Sequence, residues 1–300
     1  METADLVAGF LASVDAPNTR RAYRADVRAF VKHVENVRTV APAEVGGFVE
    51  RMQRDGRATS TVRRRLSAVR RFYDWMVARG EIESNPARTY RADLSERSHT
   101  SGSENTVRTL SRDETEQLVR AATEAGESAV RDRALILTVV YGALRRAEVA
   151  AMNVEHVRPL GRHWVIDLPS GETWSSAYVK VPSLVVEAID AVQSAYDIDE
   201  GAVWRSLSNR NRGDRMTPDA IYKVVQRTAD RAGIANVDVD TLRHTGLRLA
   251  VEAGASLQQV QAHARLQHAA SVEKYASDTA SGGRLGESAV DFVELDVSDD

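Results

Sequence analysis

The chain has 300 residues, 43% of them apolar, no cysteine and a formal net charge of −3. That length predicts one large or two smaller globular domains, and the lack of cysteine excludes disulfides. Neither a bilayer-length apolar run nor a basic-then-apolar leader is present, which predicts a soluble cytoplasmic protein with no membrane partner.

The charge is unevenly spread. The last fourteen residues hold Glu287, Asp291, Glu294, Asp296, Asp299 and Asp300 and no base, so residues 1–286 carry a net charge of +3. Between Arg57 and Asp93 nine arginines face four acids, a surplus that suits phosphate binding despite the acidic total, although an ordinary solvated helix surface reads the same way.

In chain order, Asn18 and Thr19 are expected to cap a helix with Tyr23, Val27, Phe30, Val31 and Val34 on one stripe and Arg20, Arg21, Arg24 and Arg28 mostly elsewhere. A second helix is expected over 43–54. A third starts near Ser60, carries Val62, Leu66, Val69, Tyr73 and Met76 at helical spacing, and closes at Gly80. Asn85-Pro86 breaks the pattern. With no strand signal here, residues 1–93 read as a small helical bundle.

Residues 94–106 change to Ser, Thr, Gly, Glu and Arg without apolar periodicity and read as a linker. Beyond it, Ser111 and Glu114 form a capping box before Leu118 and Val119, and 134–140 is apolar enough for a buried helix. The segments 164–168 and 177–181 flank Pro169-Ser170-Gly171-Glu172 as a β-hairpin. Thr217-Pro218 opens another helix ending at Gly233, and Ser256 opens one through Val260. The fold class is therefore mainly α: an N-terminal helical bundle, then a mostly helical domain over 107–286 with a small antiparallel sheet. Residues 287–300 form an acidic tail with apolar residues at Val290, Phe292, Val293, Leu295 and Val297. It reads either as a strap docking on a neighbouring subunit or as a disordered end.

Five residues carry the candidate chemistry: Arg145, Arg243, Tyr275, His268 and Lys180. Arg145, expected in the first turn of a helix after Gly142, can grip a phosphate with two parallel N–H groups, and Arg243 from Thr241-Leu242-Arg243-His244-Thr245 can clamp the same group from another side. Glu148 is an orienting partner for such an arginine. Tyr275 is the candidate nucleophile: a phenol attacking phosphorus stores the bond energy of a cut strand as a phosphotyrosine. Its hydroxyl, with an ordinary pKa of about 10, needs cations or a base nearby, and His268 and His263 are the nearest histidines in sequence. Lys180, the sole lysine of the expected hairpin, is the candidate donor of a proton to the departing oxygen.

These boxes in this order resemble the tyrosine recombinase, or phage integrase, family over nearly the whole chain. Residues 18–23, 60–73 and Asn85-Pro86 look like its core-binding domain; 131–135, 143–149, 241–245 and Tyr275 look like its catalytic domain. The resemblance implies a clamp around double-stranded DNA and cleavage to a 3′-phosphotyrosine with a free 5′ hydroxyl. It also implies strand exchange through a Holliday junction by a homo-tetramer on two sites, with no metal and no cofactor. Three positions depart from the family pattern. Asp240 stands where a histidine usually precedes the second arginine by three. Glu172, Thr173 and Trp174 occupy the turn where the lysine usually lies. Leu266 stands nine residues before Tyr275, where histidine or tryptophan is usual, while His268 is seven before. Two rival readings follow: a catalytically silent DNA-binding relative, and a DNA-relaxing topoisomerase with the same nucleophile.

Overall fold

The computed structural model describes residues 2–90, 108–168, 178–266 and 288–296. It divides into two compact units, Met1–Glu104 and Asn105–Asp300.

In the first unit the described residues form α1 (Thr3–Ala12), α2 (Pro17–Val31), α3 (Pro42–Arg54), α4 (Thr59–Ala78) and the short α5 (Pro86–Thr89). The apolar stripes meet in an aromatic core in which Phe10 packs edge-on against Phe72 at 5.5 Å and Phe30 against both Phe48 and Tyr73 at 5.2 and 5.8 Å. Two expectations are corrected. The helix expected to be capped by Asn18 and Thr19 is α2, which begins at Pro17 with Ala16 as its cap, because proline's fixed φ and missing N–H suit the first helical position. Asn85-Pro86 also starts a helix as well as following one: the Asn85 side chain accepts from the N–H groups of Ala87 and Arg88 while its amide donates to the Arg70 carbonyl and Asp74.

The arginine surplus separates by role. Arg64 and Arg65 pair with the buried Asp26 of α2, and Arg70 donates to the carbonyls of Ala87 and Tyr90, so these three hold helices together. Burial raises the Asp26 carboxyl above its ordinary value against the opposing pull of Arg64 and Arg65. Arg21, Arg24 and Arg28 on α2, with Arg63 and Arg71 on α4, remain exposed.

The second unit is built around α7 (Ala129–Gly142), whose residues from Ala134 to Gly142 are all buried. It packs against α6 (Arg112–Thr123), α9 (Ser183–Tyr196) and α11 (Val239–Glu252). The Ser111 hydroxyl accepts from the Glu114 N–H and the Glu114 carboxylate from the Ser111 N–H, the expected capping box. The sheet has strand order β1 (Val157–Leu160), β2 (His163–Asp167), β3 (Tyr178–Val181), all antiparallel, with Trp164 opposite Val181 and Ile166 opposite Val179. The expected pairing across the hairpin is present, and β1 is an additional edge strand that tolerates Pro159 because it has a neighbour on one side only. The remaining helices are α8 (Arg146–Ala151), α10 (Pro218–Arg231), capped by the Thr217 hydroxyl, and α12 (Leu257–Ala264), capped by Ser256.

Residues 288–296 lie on this same unit. Ala289, Val290 and Val293 are buried against its core, Asp296 N–H donates to Glu116, and the Arg112 guanidinium donates to the Glu294 carbonyl.

Candidate functional site: an arginine cluster at the ends of three helices

Helix α7 ends in Ala143, whose left-handed backbone (φ 44) turns the chain back so that Arg145 becomes the N-cap of α8. Arg145 thus sits one residue before the first turn expected for it. The backbone N–H there is satisfied: Glu148 Oε2 accepts it at 2.7 Å, while Glu148 Oε1 accepts from the Arg145 guanidinium at 2.9 Å. Anion-binding capacity at this position comes from the Arg145 side chain, which is a little over one third exposed.

Arg243 lies on α11, buried, and its position depends on Gly246 three residues later. There the two helices cross so closely that a Cβ would fall 1.9 Å from the Val140 carbonyl oxygen of α7. That contact brings Arg243 Nε within 3.0 Å of the Ala143 carbonyl and its Nη2 within 2.9 Å of the Ala264 carbonyl. The guanidinium thus donates to two buried helix-end carbonyls, one closing α7 and one closing α12.

A third guanidinium completes the cluster and went unseen in the sequence. Arg265 follows α12 in a left-handed conformation (φ 56), and its side chain is 6% exposed. Its Nη2 donates to Glu148 Oε2 at 2.8 Å and to the Ala143 carbonyl at 2.9 Å, and its Nη1 to the His263 carbonyl at 2.9 Å. Burial pushes Arg265 down to about 10, Glu148 opposes that, and Arg243 and Arg145 add to it, so the group stays charged at neutral pH. Two guanidinium groups hold the Glu148 carboxylate and the third, Arg243, joins them through the Ala143 carbonyl, leaving two positive charges in the network; an anion is its natural complement. The only sequence signal of Arg265 was a basic residue next to Leu266.

The other expected residues are placed as follows. Tyr275 and His268 lie outside the described residues, as does the hairpin turn 169–177. Lys180 on β3 is ion-paired with Asp291 at 2.7 Å. Asp240 is exposed in the first turn of α11, where a negative charge suits the helix dipole, and Leu266 packs on the core. His263 is no exposed donor: it is buried, with Nε2 2.8 Å from the Tyr141 carbonyl and Nδ1 3.5 Å from the Ser288 hydroxyl.

Burial lowers His263 to about 4, with the Tyr141 carbonyl opposing, so the folded chain keeps this imidazole neutral. The unfolded chain takes up the proton near 6.5, and only the unfolded chain does so between the two values; stability therefore falls as pH drops from about 6.5 towards 4 and levels off below. His263→Gln, which retains an N–H for the Tyr141 carbonyl, is expected to lose about 2 kcal/mol less than the parent between about pH 7.5 and about pH 5. Urea midpoints at the two pH values check this, and equal losses would show that His263 is not held neutral.

A helical bundle followed by a second, mostly helical unit with a three-stranded sheet is the class of fold found in integrases. Solved structures share it: a lambda integrase (75-356) dimer bound to a COC′ core site superposes with a TM-score of 0.69 at 15% identity over 96% of this chain and 99% of that one. The Tn1549 transposon integrase in complex with a circular intermediate DNA superposes with a TM-score of 0.73 at 13% identity over 93% and 96%. Residues 10–80 match the phage integrase N-terminal SAM-like domain and residues 108–281 the phage integrase family domain, and the chain belongs to the phage integrase, or tyrosine recombinase, family. Among similar proteins are the tyrosine recombinase XerC of Thermodesulfovibrio yellowstonii, 26% identical over 82% of this chain and 81% of that protein, and that of Escherichia coli O157:H7, 27% identical over 90% and 93%.

Proposed function

We propose that this chain is a site-specific recombinase that cuts and rejoins duplex DNA, with Arg145 and Arg243 gripping the scissile phosphate and Tyr275 attacking it. The observation that carries the reading is the linkage of Arg145 and Arg243, almost a hundred residues apart, through one hydrogen-bonded network at the ends of α7, α8 and α12. In the reaction the Tyr275 oxygen forms a bond to phosphorus and the bond to the 5′ oxygen breaks, leaving a 3′-phosphotyrosine and, after proton uptake, a free 5′ hydroxyl. Religation runs the same steps backwards and needs no ATP. Charge building on the phosphoryl oxygens is what the arginines stabilise. Lys180, once released from Asp291, is the candidate proton donor to the 5′ oxygen, and His268 a candidate donor to the phosphoryl group.

In this reading residues 1–93 are the core-binding domain, presenting Arg21, Arg24, Arg28, Arg63 and Arg71 to the DNA backbone; 94–106 link it to the catalytic domain over 107–286, which the acidic tail follows. The assembly is a homo-tetramer on two DNA sites. A lambda integrase tetramer bound to a Holliday junction, which shares the fold with a TM-score of 0.67, supports that stoichiometry. The setting is cytoplasmic; among the described residues no helix is long and apolar enough to cross a membrane.

The test uses duplexes selected by the full chain from a random pool, rebuilt with a nick that lets the cut end diffuse away. A covalent protein–DNA adduct that disappears in Tyr275→Phe is expected. Tight binding with no adduct overturns cleavage in favour of a silent relative, and plasmid relaxation without exchange between two sites favours a topoisomerase.

A further inference from the structure

Glu148 is held from two sides. Its Oε1 accepts from the Arg145 guanidinium, while its Oε2 accepts from both the Arg145 backbone N–H and Arg265 Nη2. On the other flank the Ala143 carbonyl accepts both Arg265 Nη2 at 2.9 Å and Arg243 Nε at 3.0 Å. Arg265 therefore shares one acceptor with each of the two arginines read as phosphate-binding. Arg145 and Arg243 are connected through Glu148, Arg265 and the Ala143 carbonyl.

We propose that Arg265 is a positioning residue for the phosphate site, a buried strut that fixes the spacing of Arg145 and Arg243 and keeps Glu148 from neutralising Arg145. The inference rests on the reading of Arg145 and Arg243 as phosphate-binding. Two physical effects follow from the geometry. A guanidinium fork can reach the carboxylate of Glu148 and the carbonyl of Ala143 with one nitrogen while the other nitrogen binds the His263 carbonyl, so the ends of α7, α8 and α12 are clamped in one plane. The Arg265 charge also divides the field of the single carboxylate between two cations. Without it, Glu148 and Arg145 form a self-contained pair with less attraction left for an incoming phosphate. Arg265 has a left-handed backbone, and its Nε is buried without a partner, a cost the fold carries where the other two nitrogens already make four hydrogen bonds.

The test measures two quantities on the full chain. The first is affinity for inorganic phosphate, followed through the Nε–H resonances of Arg145 and Arg243, which needs no tyrosine chemistry. The second is the single-turnover rate of adduct formation on the nicked duplex, alongside DNA affinity. Arg265→Gln is expected to weaken phosphate binding and slow adduct formation by about tenfold or more, since small misplacements at a reacting centre are that costly, while DNA affinity stays within about twofold. Arg265→Lys, which keeps the charge and loses the fork, is expected to fall between the two. A structural role alone would lower the melting temperature and leave the rate per folded molecule unchanged. Parent-like phosphate affinity and rate in folded Arg265→Gln overturn the proposal. If Arg265→Gln does not fold, Arg265→Lys decides: unchanged phosphate affinity overturns it, and a loss supports it. A parent chain that binds phosphate at both arginines, loses that binding in Arg265→Gln, yet forms no adduct leaves the strut standing and removes recombination. A parent chain in which phosphate shifts neither arginine overturns the strut.

Discussion

Gly246→Ala is expected to destabilise the second unit by about 3 kcal/mol or more, the upper end for overpacking, because the clash is with backbone rather than with a movable side chain. The added Cβ would lie 1.9 Å from the Val140 carbonyl oxygen and 2.9 Å from its carbon, so α11 must lift away from α7. Both helices are lined by buried side chains on either side of the crossing, including Val139, Val140, Leu242 and Leu247, and the separation would open gaps that neighbouring residues cannot fill. The displacement also carries Arg243 off the Ala143 carbonyl, so loss of adduct formation should accompany the loss of stability. Gly47→Ala is the contrasting substitution. It too lies within a helix, α3, but its Cβ meets only His33 Nε2 at 3.7 Å, an ordinary contact, and alanine there should stabilise the first unit by about 0.5–1 kcal/mol through helix propensity. Denaturant melts of the full chain read both; a Gly246→Ala midpoint equal to the parent's would show that the helices do not cross as closely as described.

The sequence was legible wherever local chemistry decides structure. The heptad-like run from Val62 to Met76, the Ser111–Glu114 box and the continuous apolar stretch of α7 each encode their own element, and the β2–β3 pairing follows from two alternating segments around a turn-rich stretch. Helix α9 was missed because Val185, Val186 and Ile189 are β-branched and follow closely on a strand, so local propensity competed with a helical packing face that α7 supplies. Strand β1 was hidden by Pro159, whose missing N–H is harmless only on an edge. Helix α1 carries Leu6, Val7, Phe10 and Leu11 on one face and buries it against α2 and α4. Of the arginine cluster, Arg145 and Arg243, proposed to hold the phosphate, stand in boxes the sequence displays. Arg265 was not readable, because its partners Glu148 and Ala143 lie more than a hundred residues away and its role depends on a left-handed backbone that no residue type announces. The same distance effect places His263 in the interior: nothing near it in sequence signals the Tyr141 carbonyl that holds it.

Arg243→Lys is expected to cut the rate of adduct formation by about 10²- to 10³-fold, the usual cost of removing one preorganised donor from a site where charge develops. Arg243 uses Nε on the Ala143 carbonyl and Nη2 on the Ala264 carbonyl, and both acceptor residues are buried at helix ends. A guanidinium can satisfy these while still presenting a rigid edge to an anion; a single ammonium nitrogen on a flexible stem cannot reach two carbonyls and a phosphate in that geometry. The lysine variant therefore leaves a buried carbonyl unsatisfied, at a cost of about 1–3 kcal/mol, and holds the phosphate by charge alone. DNA affinity should change far less than the rate, because many exposed arginines contribute to backbone attraction and one buried contact is a small share of it. Arg145→Lys offers the comparison: its side chain is more exposed and its helix-capping partner is Glu148 acting on the backbone N–H, so the rate should fall with little change in melting temperature. Single-turnover cleavage of the nicked duplex, with thermal melts of the same preparations, separates the two. Parent-like cleavage by Arg243→Lys would show that the guanidinium is an anchor for helix ends and takes no part in holding the phosphate.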